Sequence, residues 1–219
     1  MRRHKYHKWV LELSWWDPLQ RAAYDVCMTH VESNERERWN ERYTEAGWAE
    51  DPSPWLIANA DLLPPPGRAL DVAGGTGRNA IWLASRGWDV TVADVSDVAL
   101  TLATERAATL DVALHTQRTD LGADPLPDGP WDVLLLFHFL ERALFPRIAS
   151  VLRPGGLLIG SLATVTNLER HKRPPRPYIL DDSELPSLIH DLDTLRYEED
   201  WRDDHHEARF VARRASHRP

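Results

Sequence analysis

Cysteine occurs once in the 219 residues, as Cys27. A single thiol excludes an internal disulfide framework, zinc sites built on paired cysteines, and iron–sulfur clusters. No run of about 18 apolar residues exists, so no membrane-spanning helix is expected. Basic residues are outnumbered, 26 Lys and Arg against 34 Asp and Glu, which gives a net charge of −8. Nucleic-acid binding requires a basic face, so that class of partner is disfavoured. Residues 1–27, MRRHKYHKWVLELSWWDPLQRAAYDVC, lack the unbroken apolar core and small-residue cleavage site of a signal peptide. Glu12, Asp17 and Asp25 do not suit a transit peptide. The reading is a cytoplasmic protein, monomer or homodimer, whose residues 1–30 form an extension on the outside of one domain.

What is present is an alternation of strand-like and helix-like segments that begins at residue 68. RALDV, WDVTVAD, the segment within DVALHTQRTDL, WDVLLLFHF and PGGLLIGSLA read as five strands. RNAIWLASRG, SDVALTLATERAATL with Ser96 as N-cap, and ERALFPRIASVL started afresh at Pro146 read as helices between them. DSELPSLIHDL looks helical, and DTLRYEEDW and EARFVARRA look like a closing hairpin through RDDHH. Upstream, HVESNERERWNERYTEAGW and SPWLIANADLL read as helices, and PPPG as a stiff connector. This order implies an α/β fold with a mostly parallel sheet, helices on both faces and one antiparallel strand.

The stretch ALDVAGGTGRNA joins the first strand to its helix and fits the loose dinucleotide fingerprint through Gly75, Gly77 and Ala80. Ligands of open α/β sheets sit beyond the carboxyl ends of the strands. Asp71, Asp94, Asp120 and His138 all fall at such ends, Asp94 nineteen residues beyond Gly75. Asp94 suits the ribose hydroxyls of either NAD or an adenosyl ligand. Asp71 discriminates, because a carboxylate at the turn's entrance repels a pyrophosphate and attracts a sulfonium and an ammonium. An NAD-dependent oxidoreductase and a non-catalytic adenosyl-binding module stay open as rival classes.

The set Asp71-x-Ala73-x-Gly75-x-Gly77, Asp94, Asp120-Leu121 and LRPGGLLI resembles the class I S-adenosylmethionine-dependent methyltransferases over about residues 37–214. RWNERY, DPSPWL and FHFLERALFP are similar to the small-molecule branch that includes tellurite-resistance and thiopurine methyltransferases. The resemblance implies a Rossmann-like, seven-stranded sheet, a helical lid and connector over 31–66, and a methyltransferase core over 67–215. It implies S-adenosyl-L-methionine as cofactor, with the methionine part near Asp71, Ala73, Gly74, Gly75 and Gly77 and the ribose on Asp94. The adenine would lie near Val95, Asp120 and Leu121, the inner side near Phe137 and His138, and Trp39, Arg42 and Tyr43 would be lid contacts. Ala73 stands where glycine is commoner and is expected to have a negative φ.

Methyl transfer is an in-line displacement and needs no covalent nucleophile, so alignment and water exclusion carry the rate. The absence of N-P-P-Y and of a Pro-Cys pair favours a small-molecule acceptor over DNA. If the acceptor must lose a proton, His138 is the first candidate base and Tyr178 the second. Arg142 is read as an acid-binding residue or an ion pair, and His171, Lys172 and Arg173 as part of a solvated or substrate-covering loop. His205-His206 alternates across a strand and forms no metal pair, so no metal site is expected.

Overall fold

The computed structural model describes residues 35–45, 47–172 and 174–216. The proposed N-terminal extension, residues 1–30, and Arg173 lie outside the described residues.

The sheet has seven strands in the order β3-β2-β1-β4-β5-β7-β6. In chain order they are β1 (Arg68–Val72), β2 (Asp89–Asp94), β3 (His115–Arg118), β4 (Trp131–Phe137), β5 (Leu152–Ala163), β6 (Asp193–Arg202) and β7 (His205–Arg213). The pairs from β3 to β5 are parallel, whereas β7 runs antiparallel to both β5 and β6. The order reverses at β1, where the chain steps first to β2 and β3 and later to β4 on the other side. That reversal opens the crevice in which this class of sheet holds ligands.

The helices are α1 over 35–44, α2 (Pro54–Ala58), α3 (Arg78–Ala84), α4 (Asp97–Thr109), α5 (Phe145–Val151) and α6 (Leu185–Leu188). Alternation along each strand divides the core into two layers. One face carries Leu70, Val72, Leu134, Leu136, Leu158 and Phe210 against Phe145 and Ile148 of α5 and Leu185 of α6. The other carries Ala69, Val90, Val133, Leu135, Ile159 and Val211 against Trp55 and Leu56 of α2 and Ala80 and Leu83 of α3. β4, flanked by β1 and β5, is apolar on both faces, and Leu134 and Leu135 are wholly inaccessible. Each such leucine contributes about 1.5–3 kcal/mol through its burial.

Pro54 and Pro146 stand in the first turns of α2 and α5, where the missing amide proton would have had no helical partner. Ser96 caps α4, its hydroxyl accepting from the Ala99 amide at 3.1 Å. The helix expected over DSELPSLIHDL shortens to Leu185–Leu188, and SPWLIANADLL breaks into α2 and a 3₁₀ turn over Ala60–Leu62. Among the described residues no helix is long and apolar enough to cross a membrane.

Candidate active site

β1 delivers Asp71 to the crevice in a fully buried position, 2 % exposed. One carboxylate oxygen is held by the Ala80 amide of α3, whereas Oδ2 has no partner. Burial pushes this carboxyl up to about 7, against the pull of the Ala80 amide and the Arg78 guanidinium. Gly74 packs on it, since a Cβ there would stand 2.7 Å from the Asp71 Cγ.

Asp94 closes β2 and is tied to the same turn. Its Oδ2 accepts from the Gly75 amide at 2.9 Å and its Oδ1 from the Ser96 amide at 2.9 Å. Burial raises its pKa, while the Ser96, Gly75 and Val95 amides lower it. The turn and the second acid therefore form one hydrogen-bonded unit.

Ala73 corrects an expectation. Its φ is +52°, in the left-handed region, where a negative value was expected. The reason is local: the chain must turn out of β1 while the Gly74 amide still donates to the Ala93 carbonyl at 3.2 Å, which extends the β1–β2 ladder by one bond. An alanine in this conformation costs on the order of 1 kcal/mol relative to glycine. Gly75, at φ +55°, has a second constraint: a Cβ there would meet the Tyr43 hydroxyl at 2.5 Å.

Tyr43 belongs to α1, which lies over the turn. Its ring packs on Trp48 at 4.3 Å and Trp39 at 5.8 Å between centroids, and the Arg42 guanidinium lies over both tryptophans. Burial and the charges of Asp94 and Asp71 raise the Tyr43 pKa. α1 is moored to the start of α4: Asn40 Oδ1 accepts from the Ser96 hydroxyl at 2.7 Å and the Val98 amide at 3.3 Å, and Arg36 pairs with Asp97. The link that follows α1 is strapped to the turn as well. Arg106 donates to the Glu50 carbonyl, Arg78 to the Asp51 carbonyl, and the Ser53 amide donates to Asn79 Oδ1 at 2.8 Å.

The remaining residues fall around this unit. Val95 follows Asp94 and is half-buried; Leu121 and Phe137 are buried. Asp120 closes a turn, its Oδ1 accepting from the Gly122 amide at 3.0 Å. His138 follows β4 with φ +57°, and its amide donates to the Ser161 carbonyl at 2.9 Å. Its Nε2 lies 3.3 Å from Arg78 Nη2 and its Nδ1 lies 3.5 Å from Glu207 Oε1. Desolvation lowers the His138 pKa, with Arg78 and His205 acting in the same sense and Glu207 opposing them. Neither Arg78 nor Glu207 was legible as a neighbour of His138, because 60 and more residues separate them in sequence.

Tyr178 stands on the segment after β5 and is exposed at 36 %. Arg142 is an ion pair: its Nε and Nη2 meet the Glu184 carboxylate at 2.6 and 2.7 Å, and the pair raises the arginine and lowers the glutamate. His171 stacks on His205, and His206 Nδ1 meets the Thr164 hydroxyl at 2.6 Å. Among the described residues no group of three or more His, Cys, Asp or Glu is placed to hold a metal ion.

Residues 69–156, from β1 into β5, match the family model described as a methyltransferase domain. Over those residues the chain is similar to a methyltransferase domain. Around it, the chain is 30 % identical over 142 residues to "Hemagglutinin 1" of Eikenella corrodens, an alignment covering 61 % of this chain and 46 % of that protein. It is 27 % identical over 147 residues to "Putative methyltransferase YqeM" of Bacillus subtilis, covering 63 % and 51 %. The chain thus spans about half the length of the curated relatives it matches. TehB from Haemophilus influenzae superposes with a TM-score of 0.62 at 18 % identity, covering 82 % of this chain and 66 % of that one. Magnesium protoporphyrin IX methyltransferase (ChlM) from Synechocystis PCC 6803, solved with bound SAH, gives 0.62 at 18 %, covering 84 % and 99 %. The chain therefore shares the fold of these two solved structures.

Proposed function

We propose that the protein transfers a methyl group from S-adenosylmethionine to a small-molecule acceptor in the cytoplasm. The observation that carries this reading is the buried, half-partnered Asp71 carboxylate beside a turn with no room for a side chain at Gly74 or Gly75. An anionic pyrophosphate would add charge of the same sign next to it; a cationic ligand relieves the cost of burial. Asp94 accepts from the Gly75 amide on one oxygen and the Ser96 amide on the other, with the Val95 amide as a third donor, and the carboxylate's remaining lone pairs suit ribose hydroxyls. Asp71, Ala73, Gly74, Gly75 and Gly77 would hold the methionine end, Val95, Asp120 and Leu121 the base, and Trp39 and Tyr43 the lid side, with Phe137 and His138 facing the reaction.

When bound, the cofactor supplies an electrophilic methyl group whose bond to sulfur breaks with its electron pair going to sulfur. The protein's part is to order the acceptor, exclude water through α1 and take a proton where the acceptor has one. His138 is the base in this reading, and Tyr178, on its exposed segment, contributes to acceptor contact. S-Adenosylmethionine should raise the melting temperature of the protein and NAD should not; a shift with NAD alone rejects the assignment. Bound cofactor with no turnover across thiols, phenols, amines and oxyanions would identify a binding module instead.

A further inference from the structure

We propose that Arg78, His138 and Glu207 form an anion-generating acceptor site, and that the acceptor is an acidic hydroxyl or thiol that reacts as its anion. The inference rests on the methyl-transfer reading and adds the acceptor's chemistry to it.

A guanidinium has donors and no acceptor. The 3.3 Å contact between Arg78 Nη2 and His138 Nε2 therefore makes Nε2 an unprotonated acceptor and puts the ring proton on Nδ1, which faces the Glu207 carboxylate. This is the tautomer that a general base needs: a lone pair on Nε2, capped here by Arg78, and the proton held on the far side by an acid. Glu207 is the positioning residue. It stands on β7, its side chain 17 % exposed, and reaches His138 across β5. The charged and titratable groups facing the ring are Glu207 and His205 from β7 and Arg78 from α3.

Arg78 sets the class of acceptor. It is the first residue of α3, directly after Gly77, and its charge acts on both Asp71 and His138. A hydroxyl or thiol that displaces Arg78 Nη2 from Nε2, and accepts from the guanidinium in its turn, gives its proton to Nε2. The lone pair left on the oxygen or sulfur, stabilised by the guanidinium, forms the new bond to the methyl carbon as the carbon–sulfur bond breaks. The proton leaves the imidazolium for solvent across its exposed edge. The same guanidinium repels an amine in its ammonium form and opposes the positive charge that amine methylation builds. The left-handed backbone at His138, φ +57°, is a strained conformation at a strand end, as fixed functional side chains often have.

The test uses para-nitrophenol, whose anion absorbs at longer wavelength than its neutral form, added to the full chain saturated with S-adenosylhomocysteine, below the phenol's own pKa. The expected result is bound probe enriched in anion by about tenfold over solution, the effect of one charge-assisted hydrogen bond. Arg78→Met abolishes the enrichment and Arg78→Lys keeps part of it. His138→Asn, chosen because asparagine tolerates a left-handed backbone, reduces it. Nitrogen-15 spectra place the His138 proton on Nδ1 in the wild type, and Glu207→Gln mixes the tautomers and lowers the histidine's pKa. Absent or neutral bound probe, enrichment that survives Arg78→Met, or an Nε2-protonated ring overturns the inference while a melting shift with S-adenosylhomocysteine leaves the cofactor reading standing. If S-adenosylhomocysteine gives no melting shift, both fall.

Discussion

Asp71 and His138 stand at the ends of neighbouring parallel strands, β1 and β4, yet Asp71 is 2 % exposed and the His138 side chain 52 %. The β1–β2 side is closed, acidic and held by backbone amides: Ala80 on Asp71, Gly75 and Ser96 on Asp94. The β4–β7 side is open and held by side chains of both signs, from Arg78, His138 and Glu207. In the proposed reading, the cofactor side is built on backbone amides and the acceptor side on side chains that meet only in three dimensions.

The comparison breaks most visibly at Asp94. Asp94→Ala should weaken S-adenosylmethionine binding by roughly 100-fold, the loss of two charge-assisted hydrogen bonds, measured by titration calorimetry. Glu207→Gln, on the other side, should leave that affinity within about twofold; an equal loss from both variants would erase the distinction between the two sides. Next is Asp71. Its folded pKa is raised, so its contribution to stability is present below the unfolded value and lost as pH rises toward about 7. Asp71→Asn should stabilise the ligand-free protein at pH about 8 by roughly 4 kcal/mol, with little gain near pH 4, while weakening cofactor binding. Urea melts at the two pH values check the sign. Cofactor affinity should likewise rise with pH through about 7 as the buried acid ionises against a cation; a flat profile counts against Asp71 as the cation's partner. The smallest effect is at Ala73. Ala73→Gly relieves the left-handed alanine and should add about 1 kcal/mol of stability, read as a higher melting temperature.

The strands, the glycine turn and the Asp71–Asp94 pair were legible because each rests on short-range pattern: apolar runs, glycine spacing, an acid at a strand end. Ala73 was misjudged for a physical reason. Glycine at the neighbouring positions advertises left-handed backbone, but a methyl group at such a position carries no signal beyond its modest cost. Arg142 could be read as an ion pair or an acid-binding residue, and only the fold brought Glu184 to it. Glu207 could not be singled out among the acids of the hairpin, since its meeting with His138 depends on β7 entering antiparallel beside β5. The mooring of α1 by Asn40 and Arg36 was hidden for the same reason.

The strap between Ser53 and Asn79 has a practical consequence. The Ser53 amide proton is held by a side chain of α3, the helix that the glycine turn feeds directly. Its exchange with deuterium thus reads out how firmly that turn is set, from a residue that belongs to neither acid and lies 26 positions upstream of Asn79. If the turn holds the cofactor as proposed, that single amide, followed by mass spectrometry or NMR, should slow its exchange on binding, a gauge of occupancy that needs no known acceptor.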